Sequence, residues 1–83
     1  MAEEKKKPLS YYEKKRLTFI ANIKRNQELK RLTDGEVALK AHMNKRSYQE
    51  KKNPNTDRKF TFPEIVHICQ VLDFTSEQKA ESL

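Results

Sequence analysis

The segment NKRSYQEKK, residues 44–52, carries the side chains whose types and spacing best suit a chemical role. Asn, Lys, Arg and Gln are the side chains that reach the phosphates and base edges of nucleic acids. Tyr48 is the only large apolar residue of the segment. Helical spacing places four polar residues on the side opposite Tyr48, namely Asn44, Lys45, Arg46 and Gln49. Glu50 lies beside them. We therefore predict a helix that is anchored by Tyr48 and presents polar groups outward.

A second short helix is predicted immediately before this segment and would position it. Thr33 and Glu36 have the spacing of a capping box, in which two side chains cap each other's backbone N–H groups. Three apolar residues follow at helical spacing: Val37, Ala38 and Ala41. The helical pattern stops at His42, and Asn44 is an N-cap candidate for the next helix. Two short helices joined by a tight turn, the second polar and basic, have the layout of a DNA-reading helix-turn-helix.

Residues 33–52 resemble the helix-turn-helix of the phage Cro and repressor proteins, the XRE-like family. Four positions carry the resemblance: Ala38 within helix 2, Met43 after the turn, Asn44 at the start of helix 3 and Tyr48 inside it. The resemblance extends over roughly residues 17–74. The resemblance implies a lambda-repressor-like fold, a small all-α bundle of four to five helices. It also implies a transcriptional regulator that binds double-stranded DNA sequence-specifically, with a possible homodimer on a palindromic site.

Four residues depart from the family pattern. His42 and Arg31 stand where the family usually has Gly at the ends of helices 2 and 1. Asn26 replaces a Leu of helix 1, and Lys51 replaces a second apolar anchor of helix 3. A non-Gly residue in a left-handed turn position costs strain. We expect these departures to affect how helices 1 and 3 dock, without changing the overall arrangement.

The docking geometry of a helix-turn-helix turns the start of its second helix toward the bases. Arg46 is expected to pair bidentately with guanine and Gln49 with adenine, each contact worth roughly 1–3 kcal/mol of base discrimination. Glu50 either accepts a hydrogen bond from cytosine or pairs with Arg46 four residues away. The expected base-contacting residues are Asn44, Lys45, Arg46, Gln49 and Glu50.

A second set of residues is expected at the DNA backbone, because hydroxyl and ammonium groups contact phosphates. In and before the second helix these residues are Thr33, Ser47, Lys51 and Lys52. The family resemblance adds the loop that follows this helix, where the expected contacts are Asn55, Thr56, Arg58 and Lys59. The alternative for the loop is a plain connection between helices.

The net charge of +6 is unevenly distributed along the 83 residues. Residues 1–31 carry ten Lys and Arg against four Glu, and residues 44–59 carry six against two acidic residues. Residues 60–83 are acidic, with Lys79 as their only cation. This asymmetry suits an anionic polymer as partner. The alternative for the same charge is a surface that keeps the protein soluble.

The remaining elements divide the chain into three parts. Residues 1–9 are expected to form a mobile basic arm, residues 10–74 the helix-turn-helix domain, and residues 75–83 a tail or short helix. Helix 1 is predicted over about residues 10–30, with an apolar stripe at Leu17, Phe19, Ile20 and Ile23. Helix 4 has the broadest apolar face, which consists of Phe62, Ile65, Ile68, Cys69 and Leu72. The two candidate dimer surfaces are the acidic C-terminal region and the pair Tyr11 and Tyr12.

The sequence offers no pattern for catalysis or for a bound cofactor. A single Gly excludes a Gly-rich phosphate loop, and His67 with Cys69 lacks the further cysteines of a zinc site. We expect a protein that is not an enzyme, with no metal, cofactor or small-molecule ligand. One cysteine and no apolar run of about 20 residues predict a cytoplasmic protein that does not span a membrane.

Two other functions fit the same pattern. A small helix-turn-helix domain can bind another protein, as an antirepressor or inhibitor, with little sequence-specific DNA binding. A basic helical domain can also bind RNA or DNA without sequence preference. Salt dependence distinguishes them, because binding through several phosphate contacts weakens steeply with salt.

Overall fold

The computed structural model describes residues 10–83, and in this part of the chain it contains five α-helices and no strand. The helices are α1 Tyr11–Leu29, α2 Asp34–Lys40, α3 Lys45–Lys52, α4 Phe62–Val71 and α5 Ser76–Ser82. The predicted all-α fold class is confirmed. No helix between residues 10 and 83 combines the length and apolar character needed to cross a bilayer. The arm expected at residues 1–9 lies outside the described residues.

Each helix begins at a polar side chain that caps it. Complete capping boxes occur at Ser10, Thr33, Thr61 and Thr75. At α3, the side-chain oxygen of Asn44 accepts hydrogen bonds from the amides of Arg46 at 2.9 Å and Ser47 at 3.2 Å. Because each cap is worth about 1 kcal/mol, local sequence fixes where these short helices start. The capping box predicted at Thr33 and Glu36 is confirmed.

Three helices end in a left-handed residue that is not glycine. The φ angles are 56° at Arg31, 60° at His42 and 51° at Asp73. The amide after each one bonds a carbonyl five residues back, at 2.8 Å for Met43 to Ala38, which is the Schellman arrangement. This arrangement turns the following apolar residue toward the interior. The residues so placed are Leu32, Met43 and Phe74.

The core lies where α1, α2, α3 and α4 meet. Its largest fully buried side chains, each at most 1% exposed, are Tyr48, Ile23, Ile68, Leu72 and Val37. Phe19 joins them through ring contacts, with centroids 5.6 Å from Phe60 and 5.5 Å from Phe74. The prediction that Tyr48 belongs to the core is confirmed.

Two residues predicted on buried faces are exposed instead. Leu17 is 39% exposed, because the buried face of α1 follows Phe19, Ile20 and Ile23. Phe62 is 73% exposed, because it is the first residue of α4 and precedes the turns that contact the core. Helical spacing alone does not show how far along a helix the core extends.

The C-terminal segment forms α5, which packs against α1 through buried amides. Asn26 donates to the Leu72 carbonyl at 3.0 Å and to Gln78 at 2.9 Å, and Gln78 donates back to Asn26 at 2.9 Å. Asn22 donates to the Ser82 hydroxyl at 2.9 Å. Asn26 therefore joins α1 to the α4–α5 turn and to α5.

Candidate nucleic-acid interface

The second helix of the motif, α3, is held by Tyr48 at its centre. The ring is fully buried, and its hydroxyl donates to the side-chain carbonyl oxygen of Gln27 on α1 at 2.7 Å. Burial, with the nearby Asp34 carboxylate, raises the pKa of Tyr48, so that the phenol stays protonated and can donate. A helix of eight residues is too short to be stable alone, and this anchor orients it against α1.

The start of α3 presents polar groups to solvent, in agreement with the helical spacing. The Arg46 side chain is 87% exposed. Ser47 and Glu50 are half-buried beside it. The other exposed residues of this surface are Asn44, Lys45 and Gln49. We call the surface formed by residues 44–50 the α3 outer face.

A carboxylate at the start of α2 organises one edge of the α3 outer face. Asp34 accepts hydrogen bonds from Lys52 at 2.5 Å, Gln27 at 2.8 Å and Gln49 at 3.1 Å. Burial acts to raise the pKa of Asp34, but hydrogen bonds from Lys52, Gln27 and Gln49 outweigh it and lower the pKa from 3.8 to about 2. Because Gln49 donates from its amide nitrogen, its carbonyl oxygen is the atom turned away from Asp34.

Lys51 and Lys52, expected at the DNA backbone, both have carboxylate partners within the protein. The Lys51 ammonium lies 2.9 and 3.0 Å from the Glu64 oxygens, and its side chain is 11% exposed. Lys52 is paired with Asp34 and is 14% exposed. This geometry argues against phosphate contacts by these two residues. The aliphatic part of Lys51 is buried, although its ammonium group is charged.

Glu50 lies between Arg46 of the α3 outer face and Arg58 of the following loop. Its carboxylate is 3.4 Å from Arg46 on the same helix, and it also pairs with Arg58 from the following loop. Of the two roles expected for Glu50, this conformation shows the pairing with Arg46. The carboxylate reduces the positive charge that both guanidinium groups present to an anion.

The loop after α3 is held by Arg16 of α1, a contact that the sequence analysis missed. The Arg16 guanidinium donates to the carbonyls of Asn53, Pro54, Thr56 and Arg58 at 3.0–3.3 Å. Such a contact links positions about 40 residues apart, and a basic residue on an amphipathic helix gives no local signal of it. The carbonyls accept from both terminal nitrogens of Arg16 but leave its charge uncancelled.

Thr33 and the loop after α3 were expected to contact the DNA backbone, and their polar side chains differ in whether they are exposed or already hydrogen-bonded. Asn55, Arg58 and Lys59 are exposed. The Thr56 hydroxyl donates to the Glu50 carbonyl at 2.9 Å, which closes the end of α3. The Thr33 hydroxyl already accepts from the Glu36 amide at 3.1 Å. The two hydroxyls therefore have structural partners.

Cys69 and His67 lie on α4, and His42 lies in the turn between α2 and α3. Cys69 is 5% exposed, and burial raises the pKa of its thiol, which disfavours the nucleophilic thiolate. His42, in the turn between α2 and α3, packs edge-on against His67 of α4, with ring centroids 5.2 Å apart. Over residues 10–83, no group of three or more metal-ligating side chains is found.

Comparison with known proteins gives no match to any protein-family model, curated protein or solved structure.

Proposed function

We propose that this protein is a sequence-specific DNA-binding transcriptional regulator of the phage or mobile-element Cro and repressor type. In this proposal α3 enters the major groove, and the protein acts in the bacterial cytoplasm or nucleoid. The observation that carries the proposal is the arrangement of α3, a short helix anchored by the buried Tyr48 whose exposed residues are Asn44, Lys45, Arg46 and Gln49. These are the side-chain types that read base edges.

The proposal uses only those candidate residues whose polar groups are exposed. Arg46 and Gln49 remain the base-reading candidates, with Asn44 and Lys45 beside them. Exposed polar groups after α3 supply the backbone candidates, namely Asn55, Arg58 and Lys59. Lys51 and Lys52 leave the set because they pair with Glu64 and Asp34 and their side chains are only 11% and 14% exposed, whereas the Arg58 side chain, although it pairs with Glu50, is 50% exposed.

The second candidate function is a protein-interaction module, an antirepressor or inhibitor, and one specific observation favours it. Carboxylates pair with cations throughout this surface: Asp34 with Lys52, Glu64 with Lys51, and Glu50 with Arg46 and Arg58. Each pair reduces the positive potential that a phosphate backbone would meet. A surface with both signs of charge suits a protein partner better than it suits DNA.

Selection from a random duplex library distinguishes the two functions. The selected duplex is titrated against a scrambled duplex at several salt concentrations, with the full chain. We expect a short motif whose affinity exceeds that of scrambled DNA by ~10³ or more, within the range of specific binders. Recovery of no motif, with weak binding that falls steeply with salt, would contradict the proposal. A search for a protein partner by pull-down would then test the second function.

A further inference from the structure

The two histidines of the chain pack against each other, although they belong to different elements. His42 lies in the turn between α2 and α3, and His67 lies in α4. Their ring centroids are 5.2 Å apart, and the ring planes are inclined by 70°. His42 is exposed and His67 is half-buried, so water and small ions reach the pair. Residue spacing along the sequence, from which we expected no metal, does not show a pair formed by two elements.

The ring nitrogens of this pair are available as ligands. Among the side-chain hydrogen bonds and ion pairs between residues 10 and 83, none involves an imidazole nitrogen of His42 or His67. Neutral imidazole keeps one lone pair for an acceptor role, and it is the commonest metal ligand among side chains. Cys69, on the same helix as His67, is 5% exposed, which keeps its thiol from an ion in solvent. The pair therefore offers two nitrogen ligands at the surface.

The separation of the two rings matches that of two imidazoles on one tetrahedral ion. Bonds of about 2.0–2.1 Å from Zn²⁺ to two imidazole nitrogens, at the tetrahedral angle, place the ring centres about 5 Å apart. The observed separation of 5.2 Å agrees with this value. The torsion that rotates an imidazole about its Cβ–Cγ bond is broad, so the exposed ring of His42 can turn a nitrogen toward the ion without movement of its backbone.

We propose that His42 and His67 together bind one divalent transition-metal ion of the zinc class. Imidazole suits Zn²⁺, Cu²⁺ and Ni²⁺, whereas Mg²⁺ and Ca²⁺ prefer oxygen ligands. Water completes the coordination, since residues 10–83 hold no group of three or more metal-ligating side chains. The ion would join the turn of the helix-turn-helix to α4 and so stabilise the folded chain. This site does not depend on whether the protein binds DNA.

Packing holds both histidines in place before an ion binds. Met43, directly after His42, packs against the core, and its amide donates to the Ala38 carbonyl at 2.8 Å. Ile68, directly after His67, is fully buried. A site that exists in advance loses little conformational freedom on binding. Two ligands supply about half the binding free energy of a structural zinc site with four, so the expected dissociation constant is about 1–200 µM.

Titration of the full chain with Zn²⁺ tests the inference, at about pH 7.5 because the ligands must be deprotonated. NMR of the imidazole resonances identifies the ligands, since only these two residues of the chain contribute such signals. We expect the signals of both rings to shift together and to saturate at one ion per chain. Zn²⁺ at about ten times its dissociation constant should raise Tm by about 6–11 °C, whereas Mg²⁺ should leave Tm unchanged.

Variants at both positions make the test specific. His42→Asn suits the left-handed φ of 60°, and His67→Gln keeps a good helix former in α4. Each should weaken Zn²⁺ binding at least about tenfold, because loss of a mere second-shell partner already costs about 10- to 100-fold. The control Cys69→Ala removes the only thiol of the chain and should bind Zn²⁺ as the wild type does. Circular dichroism confirms that each variant is helical.

Three results would overturn the inference. The first is no shift of either imidazole up to about 1 mM Zn²⁺, a concentration above the whole expected range of dissociation constants. The second is one ion per two chains, which would mean that Zn²⁺ bridges separate molecules. The third is an affinity that His42→Asn and His67→Gln leave equal to that of Cys69→Ala, which would mean adventitious binding elsewhere. Because no DNA is present, each result is independent of the library selection.

Discussion

Lys52, the last residue of α3, places its ammonium 2.5 Å from the carboxylate of Asp34, the first residue of α2. This ion pair connects the two helices of the helix-turn-helix at the side away from the turn at His42. Gln27 of α1 bonds both partners, at 2.8 Å to Asp34 and 3.3 Å to Lys52. Three helices are thus joined around one carboxylate, so the charge of Asp34 should affect stability.

Asp34→Asn should lower stability in a pH-dependent manner. The folded pKa of Asp34, about 2, is below its ordinary 3.8, so the stabilisation is fully present above about pH 4 and disappears as the pH falls toward 2. At pH 7 we expect the variant to be less stable by about 1–2 kcal/mol. Urea unfolding of both proteins at intervals between pH 2 and 7 measures the difference, which should be small by pH 2. A constant difference across that range would reject the assigned charge.

Arg46→Ala should weaken binding to the selected DNA motif while leaving the fold intact. Loss of one base contact costs roughly 1–3 kcal/mol, so affinity should fall about 10- to 100-fold relative to scrambled DNA. Arg25→Ala is the control, because it removes the same charge from the α1 surface beside α5. Fluorescence anisotropy with both duplexes provides the comparison. Unchanged discrimination in Arg46→Ala would exclude Arg46 from base reading.

Lys51→Met should change little in either stability or DNA binding. The substitution keeps an apolar chain at a buried position and removes the partner of Glu64, which still accepts from the Thr61 amide at 2.8 Å. We expect the free energy of unfolding to change by less than about 1.5 kcal/mol.

The salt dependence of DNA binding by this variant separates the ion pair from a phosphate contact. Lys51→Met should leave the slope of log affinity against log salt unaltered. The exposed Lys45→Met serves as the comparison, and its slope should become shallower by about 0.9 if Lys45 contacts a phosphate. A shallower slope in Lys51→Met would show instead that Lys51 leaves Glu64 to bind DNA.

Arg16→Ala should destabilise the protein and release the loop after α3. The substitution leaves four backbone carbonyls without their guanidinium donor. A hydrogen bond to a charged group contributes at most about 1.5–3 kcal/mol to stability. We expect a loss of about 1–3 kcal/mol, with Arg16→Lys recovering only part because an ammonium cannot span the four acceptors. Urea unfolding measures the loss, and faster amide hydrogen exchange in residues 53–58 locates it. Full rescue by Lys would indicate that only charge matters.

His42→Gly should stabilise the protein, because φ is 60° at this position and glycine adopts that conformation without strain. The gain should be about 1 kcal/mol, which corresponds to a rise of about 4–8 °C in Tm for a domain of this size. Lys40→Gly is the matched control, since it places glycine at the helical end of α2 and should lower Tm. Calorimetry of both variants gives the comparison. A lower Tm for His42→Gly would mean that the ring contact with His67 outweighs the backbone strain.

The positions of the helices were predictable from the sequence because helix starts are local. A capping side chain and its partner lie within three residues of each other, as Thr33 and Glu36 do, and no distant contact is needed to form the pair. The same holds for the exposed residues at the start of α3, whose direction follows from their spacing relative to Tyr48. The all-α class, the helix boundaries and the outward placement of Arg46 were therefore accessible from residue order alone.

The tertiary structure alone decided which charges are free and which faces are covered. Lys51 and Lys52 look like solvated cations in the sequence, but the carboxylates of Glu64 and Asp34 that pair with them come from other helices. Arg16 likewise finds its acceptors about 40 residues away. Such pairs depend on how helices pack, which local periodicity does not encode. The sequence places six Lys and Arg in residues 44–59 and so suggests a broad basic surface around α3. In the folded protein that surface is less basic, because carboxylates from other helices pair with Lys51 and Lys52.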